Sequence, residues 1–97
     1  MTSIHWLPGA LHDLQRLHHF IHAHSPAAAG KAVNAIIEAI DHLGLHPEIG
    51  KPWDVDINYR EWPVQFGAKG YVIRYRLFED KLFIVRIWHG LENREPD

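Results

Sequence analysis

The chain has 97 residues, enough for one domain, 1–97, with a single modest core. Its 46% apolar and 23% charged residues are those of an ordinary globular protein, which sets aside disorder and low complexity. With no cysteine there is no disulfide framework, thiolate nucleophile or thiolate metal site, and a net charge of −2 argues against a uniformly basic nucleic-acid binder. No apolar run approaches the roughly 18 residues of a membrane span. The start Met1-Thr2-Ser3-Ile4-His5-Trp6 lacks the basic and long apolar regions of a secretory leader. A cytoplasmic location without membrane contact is expected.

Ser3 to Trp6 has the character of a short first strand. From Pro8 onward Ala10, Leu14, Leu17 and Ile21 recur at helical spacing, with Leu11 beside them. Pro8 suits a first helical turn, where its missing N–H costs nothing. Ser25-Pro26 then ends that helix and starts another, with Ser25 as N-cap. The second helix carries Ala29, Val33, Ile36, Ile37, Ile40 and Leu43 on one face, and Gly44 is the expected stop. Two helices so closely joined predict an antiparallel hairpin.

Residues 45–52 hold two prolines and a glycine and read as a turn-rich connector. Strand patterns follow at Tyr59 to Phe66, Tyr71 to Phe78 and Leu82 to His89, with turns at 67–70 and 79–81. Trp62, Val64 and Phe66 share one side of the first of these. Helices followed by strands predict an α+β fold, a two-helix hairpin on a twisted antiparallel sheet of three to four strands. A three-residue loop at 79–81 registers the last hairpin with Phe78 opposite Leu82, Arg76 opposite Ile84 and Arg74 opposite Arg86. One face is then apolar (Ile73, Tyr75, Leu77, Phe83, Val85, Ile87) and should meet the helices. The other carries Val72, Arg74, Arg76, Phe78, Leu82, Ile84, Arg86 and Trp88. Arginines among large apolar groups suit an interface, because Arg and Trp dominate binding hot spots and Arg also pairs with phosphate. Arg74, Arg76, Arg86 and Trp88 are therefore the target-binding candidates.

Nine histidines raise the question of a metal. His18 and His22 are one helical turn apart, but there is no His-Glu-x-x-His pattern and no third ligand in register. They read as a polar helix face, and no metal site is expected. Gly67 and Gly70 bracket a turn rather than a phosphate loop, so no cofactor is expected. Ser3 and Ser25 are the only serines, which leaves no Ser-His-Asp set.

Six short motifs in order carry a resemblance. They are Trp6-x-x-x-Ala10-x-x-Asp13-Leu14, Ser25-Pro26-x-Ala28-Ala29, Leu43-x-x-x-Pro47-x-x-Gly50, Tyr59-Arg60-Glu61-Trp62-Pro63-Val64, Tyr71-Val72-Ile73-Arg74-Tyr75, and Ile84-Val85-Arg86-Ile87-Trp88-His89-Gly90. Together they span nearly the whole chain, which resembles the RelE/ParE toxin superfamily of type II toxin–antitoxin systems. The resemblance implies two helices on a twisted antiparallel sheet. It also implies a toxin held inactive by a cognate antitoxin, in a toxin–antitoxin hetero-oligomer.

The resemblance implies one of two targets. ParE-like members inhibit DNA gyrase; RelE-like members cleave mRNA in the ribosome and are enzymes. For cleavage, Arg60, Arg74, Arg76 and Arg86 would supply charge, with Tyr71 or His89 moving protons. The registered hairpin puts Tyr71 and His89 on the opposite parity from the arginines, the lysine cluster of strong nucleases is missing, and Val72 stands where several nucleases carry arginine. The ending Trp88-His89-Gly90 with Asn93-Arg94 looks more like the ParE branch. Gyrase inhibition is the expected activity, mRNA cleavage the alternative, and a decayed, harmless copy the third.

Overall fold

The structure, a computed structural model, describes residues 2–54, 57–90 and 92. The elements are β1 (Ser3–Trp6), α1 (Pro8–His24), α2 (Pro26–Leu45), β2 (Lys51–Asp54), β3 (Tyr59–Val64), β4 (Tyr71–Phe78) and β5 (Lys81–His89). The strands form one sheet in the order β1-β5-β4-β3-β2, and both helices pack on one of its faces. The Asn93-Arg94 pair of the closing motif lies outside the described residues.

The helices begin and end where local chemistry requires. Pro8 opens α1 without a side-chain cap before it. Ser25 is extended (φ −158°, ψ 106°) and its Oγ accepts the Ala28 N–H at 3.2 Å. One residue thus closes α1 and starts α2, which makes the hairpin. Gly44 does not stop α2, contrary to expectation. The helix runs on to Leu45, and Gly44 is buried where an added Cβ would lie 2.9 Å from Ile4 Cδ1. Its small size serves close packing on β1, and Pro47 supplies the stop because the residue before a proline avoids helical backbone.

The α+β class and the helical hairpin agree with expectation, but the sheet differs. It has five strands rather than three or four, and it is mixed, because β1 runs parallel to β5 while the other pairs are antiparallel. The long excursion through helices and strands between β1 and β5 permits that parallel pairing. The extra strand, β2, comes from the proline-rich connector, and Pro52 is tolerated there because β2 is an edge.

The hairpin register also needs correction. Arg74 does pair with Arg86, and from there to Tyr71↔His89 the pairing is as expected. Toward the turn it shifts by one: Tyr75 pairs with Ile84, Leu77 with Leu82 and Phe78 with Lys81. The loop is two residues, Glu79 and Asp80, both with positive φ (49° and 61°), the geometry of a primed hairpin turn. A bulge at Val85 absorbs the extra residue and reverses the facing of β5. Leu82 and Ile84 therefore join the helix-side core with Ile73, Tyr75 and Ile87, and they do not share the outer face with the arginines. Each such side chain contributes roughly 1.5–3 kcal/mol of burial. From the helices, Ala10, Leu17, Ile36, Ile40 and Leu43 complete the core.

Candidate functional site

The face of the sheet away from the helices has no second layer among the described residues, yet Arg74 at its centre is only 1% exposed. Its guanidinium carbon lies 3.7 Å from the Trp53 ring centre and 4.8 Å from that of Trp88. Nε and Nη2 both donate to Glu61 Oε2, at 3.0 and 2.8 Å. Trp53 reaches this position from the irregular step in β2 between Pro52 and Asp54, and a bulge is a standard way to re-aim a side chain. Tyr59 stacks on the Trp53 ring with ring centres 5.7 Å apart. The series Tyr59, Trp53, Arg74, Trp88 and Arg86 is a continuous ladder of rings and cations, since Arg86 lies 5.0 Å from the Trp88 ring centre. Arg76 is at the turn end of the same face, over Phe78 at 5.2 Å. Its Nε is buried without a hydrogen-bond partner among the described residues.

Arg86 leaves that face at the edge of the sheet. β1 pairs with β5 only as far as Ile84, so the next stretch of β5 would be an open edge. α1 covers it, and Asp13, 1% exposed, accepts the Ile87 N–H through Oδ2 at 2.9 Å. The same carboxylate receives Arg86 Nε at 2.6 Å and Nη2 at 3.2 Å. A side chain here stands in for the missing neighbouring strand. Arg16, one turn on, donates to Asp13 at 3.3 Å and to the Ile87 carbonyl at 3.4 Å.

On the helix side of the sheet, where β4 begins and β5 ends, a pocket of about 380 Å³ is lined by Arg16, Leu17, Phe20, Ile21, Tyr71, His89 and Glu92. Tyr71 and His89 meet edge to face at 5.7 Å. Arg16 is paired with Glu92 through Nη1 and Nη2, and Glu92 Oε2 also accepts the His89 N–H at 3.0 Å. The bond to Glu92 is the main reason the Arg16 guanidinium holds its proton more firmly than usual. Burial, then the charge of Glu92, push the Tyr71 phenol above its ordinary value.

The six candidates for phosphodiester chemistry are thus divided. Tyr71 and His89 share the pocket; Arg74 and Arg76 lie on the opposite face with Trp88; Arg86 wraps the edge. Arg60 points to the helix side and donates to the Glu48 and Gly50 carbonyls, each at 2.9 Å. Asp13, Arg16, Trp53, Glu61 and Glu92 were not singled out as site residues from the sequence. Asp13 carried a signal, a carboxylate at helical spacing between Ala10 and Leu17 of the apolar stripe. Among the described residues no group of three metal-ligating side chains occurs, and no helix is long and apolar enough to cross a membrane.

A helical hairpin on a five-stranded mixed sheet, with arginine-rich terminal strands, defines a class of small α+β proteins with known relatives. The family profile described as the ParE toxin of the type II toxin-antitoxin system, parDE, matches residues 4–94. The chain is 37% identical over 94 residues to toxin RelE3 of Caulobacter vibrioides, covering 97% of this chain and 100% of that protein. It is 38% identical over 85 residues to toxin RelE1 of the same organism, covering 88% and 89%. A solved structure, the chromosomal ParDE toxin–antitoxin system from P. aeruginosa, superposes with a TM-score of 0.72 at 25% identity, covering 92% of this chain and 96% of that one. The chain belongs to the ParE toxin family, within the RelE/ParE superfamily of type II toxin–antitoxin toxins.

Proposed function

We propose that this chain inhibits growth in the cytoplasm by binding DNA gyrase, and that a cognate antitoxin neutralises it. The observation that carries the reading is the internal commitment of three of its four candidate arginines. Arg74 is held by Glu61, Arg86 by Asp13 and Arg60 by two carbonyls. Cleaving a phosphodiester requires a proton carrier and a cation converging on one phosphate. Here Tyr71 and His89 are across the sheet from Arg74 and Arg76. Binding needs no such convergence; Arg74 and Trp88 are buried within the outer face, but Trp53 and Phe78 are exposed on it and Arg86 keeps 28% of its side chain exposed, and these offer the Arg and aromatic contact. The antitoxin is supported by the family and by the solved ParDE relative.

One observation favours the second reading, a ribosome-dependent mRNA endonuclease. Arg16 shares the pocket with Tyr71 and His89 and would be its cation once released from Glu92. Two of the relatives also bear RelE names.

Expression of the chain alone in a bacterium, with DNA and protein synthesis followed by labelled precursors, separates the readings. Gyrase inhibition predicts that DNA synthesis fails first, with filamentation, and that the purified chain blocks supercoiling. His89→Ala and Tyr71→Phe should keep that activity. Translation stopping first, with loss of toxicity in His89→Ala and Arg16→Ala, would establish the nuclease instead. A folded chain without effect on either process would be a decayed toxin.

A further inference from the structure

Five of the nine histidines lie on α1, and none but His89 lines the Tyr71 pocket. Within α1, His18 and His22 stand out. Both are exposed, both sit on regular helical backbone, and their ring centres are 5.6 Å apart. We propose that these two imidazoles chelate a borderline divalent cation of the Ni²⁺, Cu²⁺ or Zn²⁺ class on the outer face of α1.

The argument is geometric. Zinc takes imidazole nitrogen at about 2.0–2.1 Å, so two such ligands on one ion have nitrogens about 3 Å apart. Side chains one turn apart on a helix share a face, and exposed rings with centres at this separation reach that spacing by side-chain rotation alone. The helix holds the second imidazole beside the first, so its coordination is an intramolecular step with a high effective concentration. Imidazole nitrogen suits these metals and not hard cations such as Mg²⁺.

Among the described residues no third histidine or carboxylate joins the pair, so water completes the coordination. The result is an exchangeable two-point clamp, not the closed site whose ligand pattern the sequence lacks. Leu14 and Val33, beside His18 in the groove between the helices, cannot ligate. A second one-turn pair, His42 and His46, has ring centres 5.0 Å apart. It is the poorer chelate: His46 is the C-cap, with φ −134° and ψ 68°, and the His42 ring leans on Trp62 at 6.2 Å.

The test is calorimetric titration of the full, untagged chain with Cu²⁺, Ni²⁺ and Zn²⁺ separately. One ion per chain should bind at the α1 pair, with Cu²⁺ tightest. His18→Ala and His22→Ala should each weaken binding at least as much as the roughly 10–100-fold that loss of an outer-shell partner costs. His42→Ala should leave that site intact. Both α1 substitutions are at exposed helical positions, and circular dichroism verifies the fold. No binding by the natural chain, equal binding by the His18→Ala and His22→Ala variants, or a loss that follows His42→Ala would overturn the proposal.

Discussion

Arg74 and Arg86 face each other across β4 and β5, yet the sheet treats them differently. Arg74 is in the middle of an uncovered face and is buried by the rings of Trp53 and Trp88 and by its ion pair with Glu61. Arg86 is near the edge, keeps 28% of its side chain exposed, and bends to a carboxylate from another element. The centre of a single-faced sheet can bury a cation only by laying rings over it. The edge has a different need, an unpaired strand backbone, and Asp13 meets that need and the cation together.

Removing Asp13 should therefore have the largest effect. Asp13→Ala orphans the Ile87 N–H and leaves Arg86 without the carboxylate, for a loss of about 3–5 kcal/mol in urea unfolding. Asp13→Asn keeps an acceptor of the same size and should lose clearly less; equal losses would mean that the charge, not the strand-completing bond, dominates. At the centre, Arg74→Ala should cost about 2–3 kcal/mol, less because Glu61 can rehydrate. Replacing Arg74 and Glu61 together by leucine should restore most of that loss, since buried ion pairs often yield little against apolar packing. A double variant as unstable as Arg74→Ala would show that the ring stacking carried the energy.

Two phenols on the helix side of the sheet make stability depend on pH. Tyr71 and Tyr75 both have phenols raised above 10.0 by burial; for Tyr75 the Gly50 N–H and the charge of Arg60 offset this only partly. A raised folded value means that the folded state holds the proton more firmly than the unfolded chain. The stabilisation is therefore complete below pH 10 and is lost as pH rises through the folded value. Urea midpoints from pH 9 to 11.5 should fall, and Tyr71→Phe should make the fall shallower. The Tyr75 hydroxyl also accepts the Gly50 N–H at 2.8 Å and donates to the Pro47 carbonyl at 2.9 Å. An added Cβ at Gly50 would sit 2.2 Å from that oxygen, so Gly50→Ala should break the bridge and lower the midpoint at every pH.

Much of the fold was legible because it rests on local periodicity. The stripes of α1 and α2, the Ser25 cap and the strands at Tyr59, Tyr71 and Leu82 all follow from spacing and residue type. β2 was hidden by Pro52, which excludes a central strand but not an edge. The Val85 bulge was hidden because Leu82 to Ile87 is apolar except for Arg86, so alternation does not mark where facing reverses. For the site, arginines and tryptophan on the terminal hairpin could be read as an outer face. Their partners could not, because Asp13, Glu61 and Trp53 come from α1, β3 and an irregular edge strand. Only the tertiary fold brings those elements to the hairpin.

The smallest expected effect tests the register itself. Glu79 and Asp80 both hold left-handed backbone, a conformation that costs a residue other than glycine, asparagine or aspartate about 1 kcal/mol or more. With a two-residue turn and the Val85 bulge, Asn-Gly in place of Glu79-Asp80 matches the primed turn and should raise stability by about 1 kcal/mol. With a three-residue loop and no bulge, asparagine and glycine at these positions would not both match the left-handed backbone, and glycine would add unfolded-state entropy. A small loss would then be observed. The sign of the change in urea midpoint thus reports which way Leu82 and Ile84 face, and with it whether they join the core or share the outer face with Arg86.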